Sequence, residues 1–331
     1  MRASSPLKAR FILFFVFPLL LQSCYLYRQG LGQLDLSFNQ VPLEEAVLSE
    51  PDPSRKTLLE EVSMIKAFGE SQLKLKPSDN YQGYYATEKQ GITFVVTAAK
   101  ADALERYEWW FPIVGKVPYK GYFLLEDAQE LAAQMKEEGF DVWLFPSTAY
   151  SSLGWFQDPI TTPMLKRGRY GLAQTLLHEM AHATLYIEGQ GEFNESLASF
   201  VGYQGARIYL LARGGEEALV KAAADREKNR AFRLKINQVQ ENLREIYSRP
   251  IPLGEKLNLK DQQFQMLAQD LVKLYPKTKL ADWPFNNARI LLYGLYREEA
   301  PWITNLWKEA GEDWGRFWEL LEDYTRKQGW D

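Results

Sequence analysis

The sequence has very few residues of the two types that most often form metal sites and covalent cross-links. Its 331 residues include only two histidines and one cysteine. With Cys24 as the single cysteine, the chain cannot form an internal disulfide, so its fold must depend on hydrophobic burial. With two histidines, a metal site must take its third protein ligand from a carboxylate. An oxyanion formed in a reaction must then be stabilised by a group other than histidine.

The chain also lacks a strong net charge of either sign. Its 39 lysines and arginines nearly balance 43 aspartates and glutamates, which gives a formal net charge of −4 at pH 7. No basic patch stands out, and this argues against nucleic acid as a partner. A length of 331 residues with 46% hydrophobic residues is sufficient for a full core in one large or two closely packed domains. The sequence leaves the oligomeric state open.

Both histidines lie in one pentapeptide, His178-Glu179-Met180-Ala181-His182. Apolar residues at helical spacing predict a helix over about 171–188, ended by Gly189. Two histidines four residues apart project from the same side of such a helix and can share one metal ion. This is the HExxH pattern, in which the histidines bind Zn²⁺ and the intervening glutamate is the general base. The alternative is a pair of structural histidines on a packed helix.

The third ligand has three acidic candidates shortly after the pentapeptide: Glu188, Glu192 and Glu195. Glu188 has the metzincin position, but Leu185 replaces the glycine that this pattern needs, and a continuing helix would turn Glu188 away from the metal. Glu195 is favoured because the glycines at 189 and 191 let the chain reverse, and a second helix then presents Glu195 in its first turn. Its alternative role is a favourable interaction with the helix dipole. Three protein ligands would leave zinc an open position for water, as in catalytic sites.

These residues resemble known metallopeptidases. The segment Asn194-Glu195-Ser196-Leu197-Ala198 is similar to the Asn-Glu-x-x-Ala helix of gluzincins. More closely, the chain resembles the bacterial family of putative aminopeptidases from about 117 to 296, with compatible spacing back to about 55. The segments that carry this resemblance are Val117-Pro118-Tyr119-Lys120-Gly121-Tyr122-Phe123, Ala149-Tyr150-Ser151-Ser152-Leu153-Gly154-Trp155-Phe156, Asp158-Pro159, the HExxH pentapeptide, Phe193-Asn194-Glu195 and Asn286-Asn287-Ala288-Arg289.

The resemblance implies a zincin-like metallopeptidase with one zinc ion held by His178, His182 and Glu195. Peptide bonds would be hydrolysed by a zinc-activated water, with Glu179 as the residue that accepts its proton and passes it to the leaving amine. The Gly-x-Met-x-Asn segment with which well-known gluzincin aminopeptidases bind a peptide amino terminus is absent. The sequence therefore leaves exo- and endopeptidase action open.

The oxyanion needs a hydrogen-bond donor besides the metal. With no histidine to spare, a tyrosine is the natural choice, and Tyr296 is the first candidate, with Tyr293 the second. An aromatic residue on an apolar helix face more often packs in the core, and this is the alternative for both.

The loop over 150–162 precedes the zinc helix, where zincins commonly place the strand that pairs with an extended substrate. One interpretation is that Gly154, Trp155 and Phe156 form a subsite wall and that Asp158 binds a substrate amine. Trp155 and Phe156 can equally well pack the loop.

The N-terminus has the features of a bacterial lipoprotein signal. Arg2, Lys8 and Arg10 precede an apolar run over 11–21, and Cys24 follows at the expected cleavage site. The run is too short to span a bilayer as a stable helix. The prediction is an exported, lipid-anchored protein, periplasm-facing or on the cell surface, with the lipid on Cys24. The alternative is a plain secretory signal in which Cys24 is incidental.

Secondary-structure patterns predict an α+β fold, with a small N-terminal sheet region followed by a mainly helical half. The predicted division is a signal peptide at 1–23, a membrane tether or linker at 24–50, a zincin catalytic region at 51–213 and a helical region at 214–331 that closes the cleft. Strands are expected near 92–97, 109–122 and 140–145. Helices are expected at about 54–69, 126–138, 171–188, 193–213, 215–248, 260–275, 286–298 and 312–328.

The leading hypothesis is therefore a zinc-dependent peptidase with a peptide substrate. A zinc hydrolase of the same fold that cleaves a non-peptide or cell-wall amide is the second. A surface lipoprotein that keeps the scaffold only for binding is the third, and the intact Glu179 argues against it because a binding protein has no use for the base.

Overall fold

The computed structural model describes residues 25, 27–89, 91–111, 115–147, 157–279, 284–293 and 301–330. Its helices and small sheets confirm the predicted α+β class. Predicted residues Cys24, Gly154, Trp155 and Tyr296 lie outside the described residues. In the described part of the chain, no helix is both long enough and apolar enough to cross a membrane.

The described strands are short and form three small sheets. They are β1 (Val41–Pro42), β2 (Gly83–Tyr85), β3 (Thr93–Lys100), β4 (Trp109–Phe111), β5 (Gly115–Val117), β6 (Lys120–Tyr122), β7 (Phe140–Ser147) and β8 (Ile160–Thr161). The sheet orders are β1-β2-β8, β6-β3-β7 and β4-β5. Strand β3 pairs antiparallel with β7 over eight residue pairs, from Thr93 opposite Ser147 to Lys100 opposite Phe140. The predicted strands near 92–97 and 140–145 are confirmed, and each extends slightly further.

Helices make up most of the described structure. They are α1 (27–38), α2 (Leu43–Ser49), α3 (Pro53–Gln72), α4 (Leu125–Glu137), α5 (Thr162–Leu165), α6 (Gly168–Thr184), α7 (Gly191–Leu211), α8 (Glu216–Ser248), α9 (Leu253–Leu274), α10 (Asn287–Tyr293), α11 (Pro301–Glu309) and α12 (Trp314–Lys327). Helix α9 begins seven residues before the predicted start at 260, directly after Pro252, and α11 was not predicted.

The largest hydrophobic core surrounds α6. Leu172, Leu176, Leu177 and Met180 are at most 2% exposed, because α3 packs on one side of α6 and α7 on another. A helix buried on several sides loses the sharp apolar periodicity of a surface helix. This explains why its ends were predicted less well than its existence: α6 covers Gly168–Thr184 rather than 171–188.

The C-terminal helices contribute to two cores. Helices α8, α9 and α10 share one hydrophobic cluster. Helices α11 and α12 instead join the core around α6, where Ile303, Trp307 and Phe317 are buried with residues of α7. Phe200 of α7 is in ring contact with Trp307 and Phe317. The last two helices therefore pack on the helix that follows the HExxH pentapeptide.

The segment predicted as a tether or linker, 24–50, contains helical structure. Helix α1 buries Leu36, and α2 buries Leu43 and Ala46. Leu43 and Ala46 belong to the core around α6. The described part of this segment is therefore attached to the folded body, and its role as a tether stays a prediction.

Candidate metal centre

Helices α6 and α7 bring three ligand-type side chains together. The Nε2 atoms of His178 and His182 lie 3.2 Å apart. Glu195 places one carboxylate oxygen 3.6 Å from His178 Nε2 and the other 3.7 Å from His182 Nε2. Among the described residues, these three form the one group of His, Cys, Asp and Glu side chains that could hold a metal ion, with one ligand atom from each within 4.8 Å of the others.

The connection between the helices explains how Glu195 reaches the histidines. Helix α6 ends at Thr184, and Gly189 has a φ of +76°, a conformation that glycine adopts without strain. The Asn194 side chain is buried and bonds the connecting loop twice: it donates to the Ile187 carbonyl (2.7 Å) and accepts from the Ile187 amide (2.9 Å). The predicted reversal of the chain at Gly189 and Gly191 is present, and the hydrogen bonds of Asn194 fix the loop next to Glu195.

The other acidic candidates do not join this group. Glu188 and Glu192 are both exposed, whereas Glu195 is partly buried. The carboxylate predicted as third ligand is thus the one that the structure brings to His178 and His182.

The donor atoms fit a bound cation. Burial is the largest cause that lowers the pKa of His178 to about 3, with further contributions from His182 and Arg167. Burial lowers the pKa of His182 to about 4. Both imidazoles are therefore neutral at pH 7, as metal ligands must be. Within the described residues, one buried carboxylate oxygen of Glu195 (Oε2) has no hydrogen-bond partner, and a buried carboxylate needs a compensating partner. Two imidazole nitrogens and one carboxylate are a ligand set that zinc commonly accepts.

Glu179 lies next to this centre in an environment that favours its protonated form. Burial, then the charges of Glu195 and Asp158, raise its pKa to about 7. Tyr81 is buried, and burial, followed by the charges of Glu179 and Asp158, raises its pKa. A carboxyl group with a pKa near neutrality can both accept and release a proton at physiological pH.

Asp158, predicted to bind a substrate amine, is only 2% exposed. Its backbone amide donates to the Asn80 side-chain oxygen (3.1 Å), and its carbonyl accepts from the Tyr81 amide (2.7 Å). The structure therefore places Asp158 inside the protein, where its charge contributes to the raised pKa of Glu179. Its predicted contact with a substrate stays a prediction, as do those of Gly154 and Trp155.

Tyr119, a tyrosine other than the two predicted oxyanion donors, is influenced electrostatically by residues of the centre. Tyr119 follows β5 and is 49% exposed, yet the surroundings of its hydroxyl raise its pKa, first by burial and then by the charges of Glu195, Tyr186 and Glu179. Tyr293 has a different setting: its hydroxyl accepts from Arg289 (3.3 Å), and its ring contacts Phe232. The one feature of the sequence that could have pointed to Tyr119 is its position in segment 117–123, which carries part of the family resemblance.

The Asn286-Asn287-Ala288-Arg289 segment joins helices to the sheet. The Asn286 side chain donates to the Val142 carbonyl (2.8 Å), and the Asn287 amide donates to Asp141 (2.7 Å). Asn287 also accepts a hydrogen bond from the Tyr247 hydroxyl (2.9 Å). These contacts fix α10 against β7 and α8. The Asn286-Asn287-Ala288-Arg289 segment of the family resemblance therefore has a structural role in holding these elements together.

Comparison with known proteins gives one result. The sequence profile of a family described as putative aminopeptidase matches residues 24–329. No curated protein and no solved structure gives a significant match.

Proposed function

The chain belongs to the putative aminopeptidase family, and from this premise we propose that it is a zinc-dependent peptidase with a zincin-like fold of the gluzincin type. The observation that carries the proposal is the group of His178, His182 and Glu195, with the near-neutral carboxyl of Glu179 beside it. This arrangement matches a catalytic site better than a structural zinc site, which is usually closed by four protein ligands.

In the proposed centre, His178, His182 and Glu195 hold one Zn²⁺. When bound, zinc supplies Lewis acidity that polarises a carbonyl and makes a water acidic near neutral pH. The chain's own contribution is a rigid and partly buried ligand set. The two hydrogen bonds between Asn194 and Ile187 fix the connecting loop and so hold Glu195 in place. Helix α6 sets the spacing of the two histidines.

Glu179 is the proposed proton carrier. Its carboxylate accepts a proton from the attacking water and then gives this proton to the nitrogen of the leaving amine. The pKa near 7 describes the site without a cation, and a bound positive ion lowers it, because an opposite charge favours the ionised carboxylate. Burial and the charges of Glu195 and Asp158 act in the opposite direction, and they support return of the proton by Glu179.

Tyr119 is the residue we propose to stabilise the oxyanion. Burial, and then the charges of Glu195, Tyr186 and Glu179, raise the pKa of its hydroxyl, which supports a position near the proposed ligand and base. A tyrosine hydroxyl has an ordinary pKa of 10.0 and is protonated at pH 7, so it can donate a hydrogen bond to developing negative charge. Tyr296, the sequence-based candidate, stays a competing prediction.

We further propose that the protein is exported and lipid-anchored, with a signal peptide at 1–23 and the lipid on Cys24. The support is the basic start, the apolar run and the cysteine in sequence. Incorporation of radiolabelled palmitate into the wild type, but not into Cys24→Ser, tests this. An unlabelled wild type would leave a plain secretory signal as the explanation.

The activity is tested by mass-spectrometric profiling of a mixed peptide library with zinc-loaded residues 25–331 and with the same chain carrying Glu179→Gln. We expect cleavage by the wild type and a loss of at least about 100-fold in the variant, with zinc retained in both by native mass spectrometry. Products shortened from the amino end would identify an aminopeptidase, and internal cuts an endopeptidase. If both chains bind zinc and neither cuts peptides, cell-wall fragments are the next substrate, and inactivity there would indicate a binding role.

A further inference from the structure

We propose that one side of α1 binds the surface of a lipid bilayer. This side consists of Tyr27, Leu31, Leu34 and Phe38, which are 68%, 49%, 46% and 78% exposed. With 100° of rotation per residue, the four positions fall within an arc of about 60°. They therefore form one continuous apolar strip along three turns of the helix.

The opposite side of α1 is attached to the protein. Leu36 is 2% exposed, and the Tyr25 hydroxyl and the Gln29 side-chain amide both donate to the Gly121 carbonyl, at 3.0 and 2.8 Å. These contacts fix the rotation of the helix about its own axis. The apolar strip therefore faces outward as a consequence of packing.

Charged residues beside the apolar strip are engaged within the protein. Arg28 forms an ion pair with Asp127, and Asp35 accepts a hydrogen bond from the Tyr85 hydroxyl (2.8 Å). The exposed side of α1 is thus mainly apolar, with an aromatic residue at each end, Tyr27 and Phe38. Helices that lie in the membrane interface bury such a side among the headgroups and upper acyl chains. We therefore expect binding that depends little on salt.

A bilayer fits the apolar strip better than a second copy of the chain. Four side chains offer on the order of 400 Å², about half of the ~800 Å² that each partner buries in a stable protein interface. A membrane needs no complementary protein surface. The strip also begins three residues after Cys24, so the proposed lipid would hold it at the membrane, where a second contact would orient the catalytic domain.

The test uses residues 25–331, which contain every described element and all four described hydrophobic clusters but lack both the apolar run and Cys24. Co-sedimentation with phosphatidylcholine vesicles is measured at low and high salt. We compare the wild type with Leu31→Glu/Leu34→Glu and with the matched control Leu234→Glu/Leu253→Glu. The two control leucines are 63% and 55% exposed on α8 and α9. Thermal unfolding confirms that each variant is folded.

We expect the wild type and the control to bind vesicles at both salt concentrations, and the partition coefficient of the α1 variant to fall at least about tenfold. Absence of wild-type binding, or an equal loss in the control, overturns the proposal. Concentration-dependent dimers that only the α1 variant abolishes, without vesicle binding, would also overturn it and identify a self-association surface. Because no step uses peptide cleavage, the result is independent of the proposed enzymatic function.

Discussion

Gly202 of α7 lies directly against the turn of α6 that carries His178. A β-carbon at position 202 would come within 2.6 Å of the Gln174 carbonyl oxygen and 3.1 Å of the His178 β-carbon. The first distance is too short for any real contact and involves backbone, which cannot move aside cheaply. Glycine at 202 therefore lets α6 and α7 approach closely enough for Glu195 to reach the histidines.

We predict that Gly202→Ala separates α6 from α7. The expected result is a loss of about 1–3 kcal/mol in unfolding free energy and a weakening of zinc affinity by about 10–100-fold, because the support of a ligand is displaced. Gly254→Ala is the matched control, since its new methyl group would meet nothing within 4 Å. Urea unfolding and competition with a fluorescent zinc chelator measure the two effects. Unchanged zinc affinity in Gly202→Ala would show that the close approach is not needed for the site.

The ligand assignment predicts a contrast between carboxylates that are near in sequence. Glu195→Ala should weaken zinc binding strongly, whereas Glu192→Ala and Glu188→Ala should retain it, because both of those residues are exposed and outside the group. Zinc at 100 times its dissociation constant should raise the stability of the wild type by about 2.7 kcal/mol. Calorimetric titration and thermal unfolding with added zinc measure these effects. Loss of zinc in Glu192→Ala with retention in Glu195→Ala would reverse the assignment.

The raised pKa of Glu179 predicts how the stability of the zinc-free protein changes with pH. Its pKa is about 7 in the folded chain, against an ordinary value of 4.5 for a solvated glutamate, so the proton favours the folded state. This contribution is complete below about pH 4.5 and is lost as pH rises through 7. The difference of about 2.5 units corresponds to a loss on the order of 3 kcal/mol.

Glu179→Gln cannot ionise and should not show this loss. We expect the stability of the variant relative to wild type to increase by that amount between pH 4.5 and 8, measured by urea unfolding with a chelator present. The two histidines act in the opposite sense, because their lowered pKa values cost stability as pH falls below 6.5. Both histidines are present in the wild type and in Glu179→Gln, so their contribution to stability cancels when the two proteins are compared. Parallel pH curves for the two chains would contradict the raised pKa.

Asn194 provides a test of the loop that connects the ligand helices. Asn194→Ala leaves both the amide and the carbonyl of Ile187 without their side-chain partner. We expect a loss of about 1–3 kcal/mol in stability and weaker zinc binding. The control is Asn242→Ala, which removes only side-chain contacts to Gln238 and Gln263. If both substitutions reduce zinc affinity equally, the loop bonds have no special effect on Glu195.

The sequence was most informative for residues that lie close together along the chain. The spacing of His178 and His182 on a helix, followed by the glycine turn before Glu195, allowed the grouping of these three side chains to be predicted, because all three lie on two consecutive helices. Local periodicity also predicted β3 and β7. These features depend on residues that are close in sequence, so tertiary packing did not need to be known.

Other features depend on distant contacts and could not be read from one sequence. Tyr119 and Asp158 are distant from Glu179 in the sequence, and the electrostatic influence between them and Glu179 arises only in the folded chain. Helix α1 was missed because its apolar residues face outward and its inner side is polar at Gln29 and Gln33. Such a helix lacks the usual pattern of an apolar face that packs on a core. The outward position of these apolar residues is also the basis of the proposed membrane contact.

The role of Tyr119 can be separated from those of the tyrosines favoured by sequence. Tyr119→Phe removes only the hydroxyl, so it should lower kcat by about 100-fold or more, as expected for loss of an oxyanion donor, with little change in KM. Zinc affinity and stability should stay at wild-type levels because Tyr119 is not among the ligand group. Tyr293→Phe should have wild-type activity, since the Tyr293 hydroxyl is bonded to Arg289. A large fall in kcat for Tyr296→Phe, with none for Tyr119→Phe, would assign the oxyanion to Tyr296 instead.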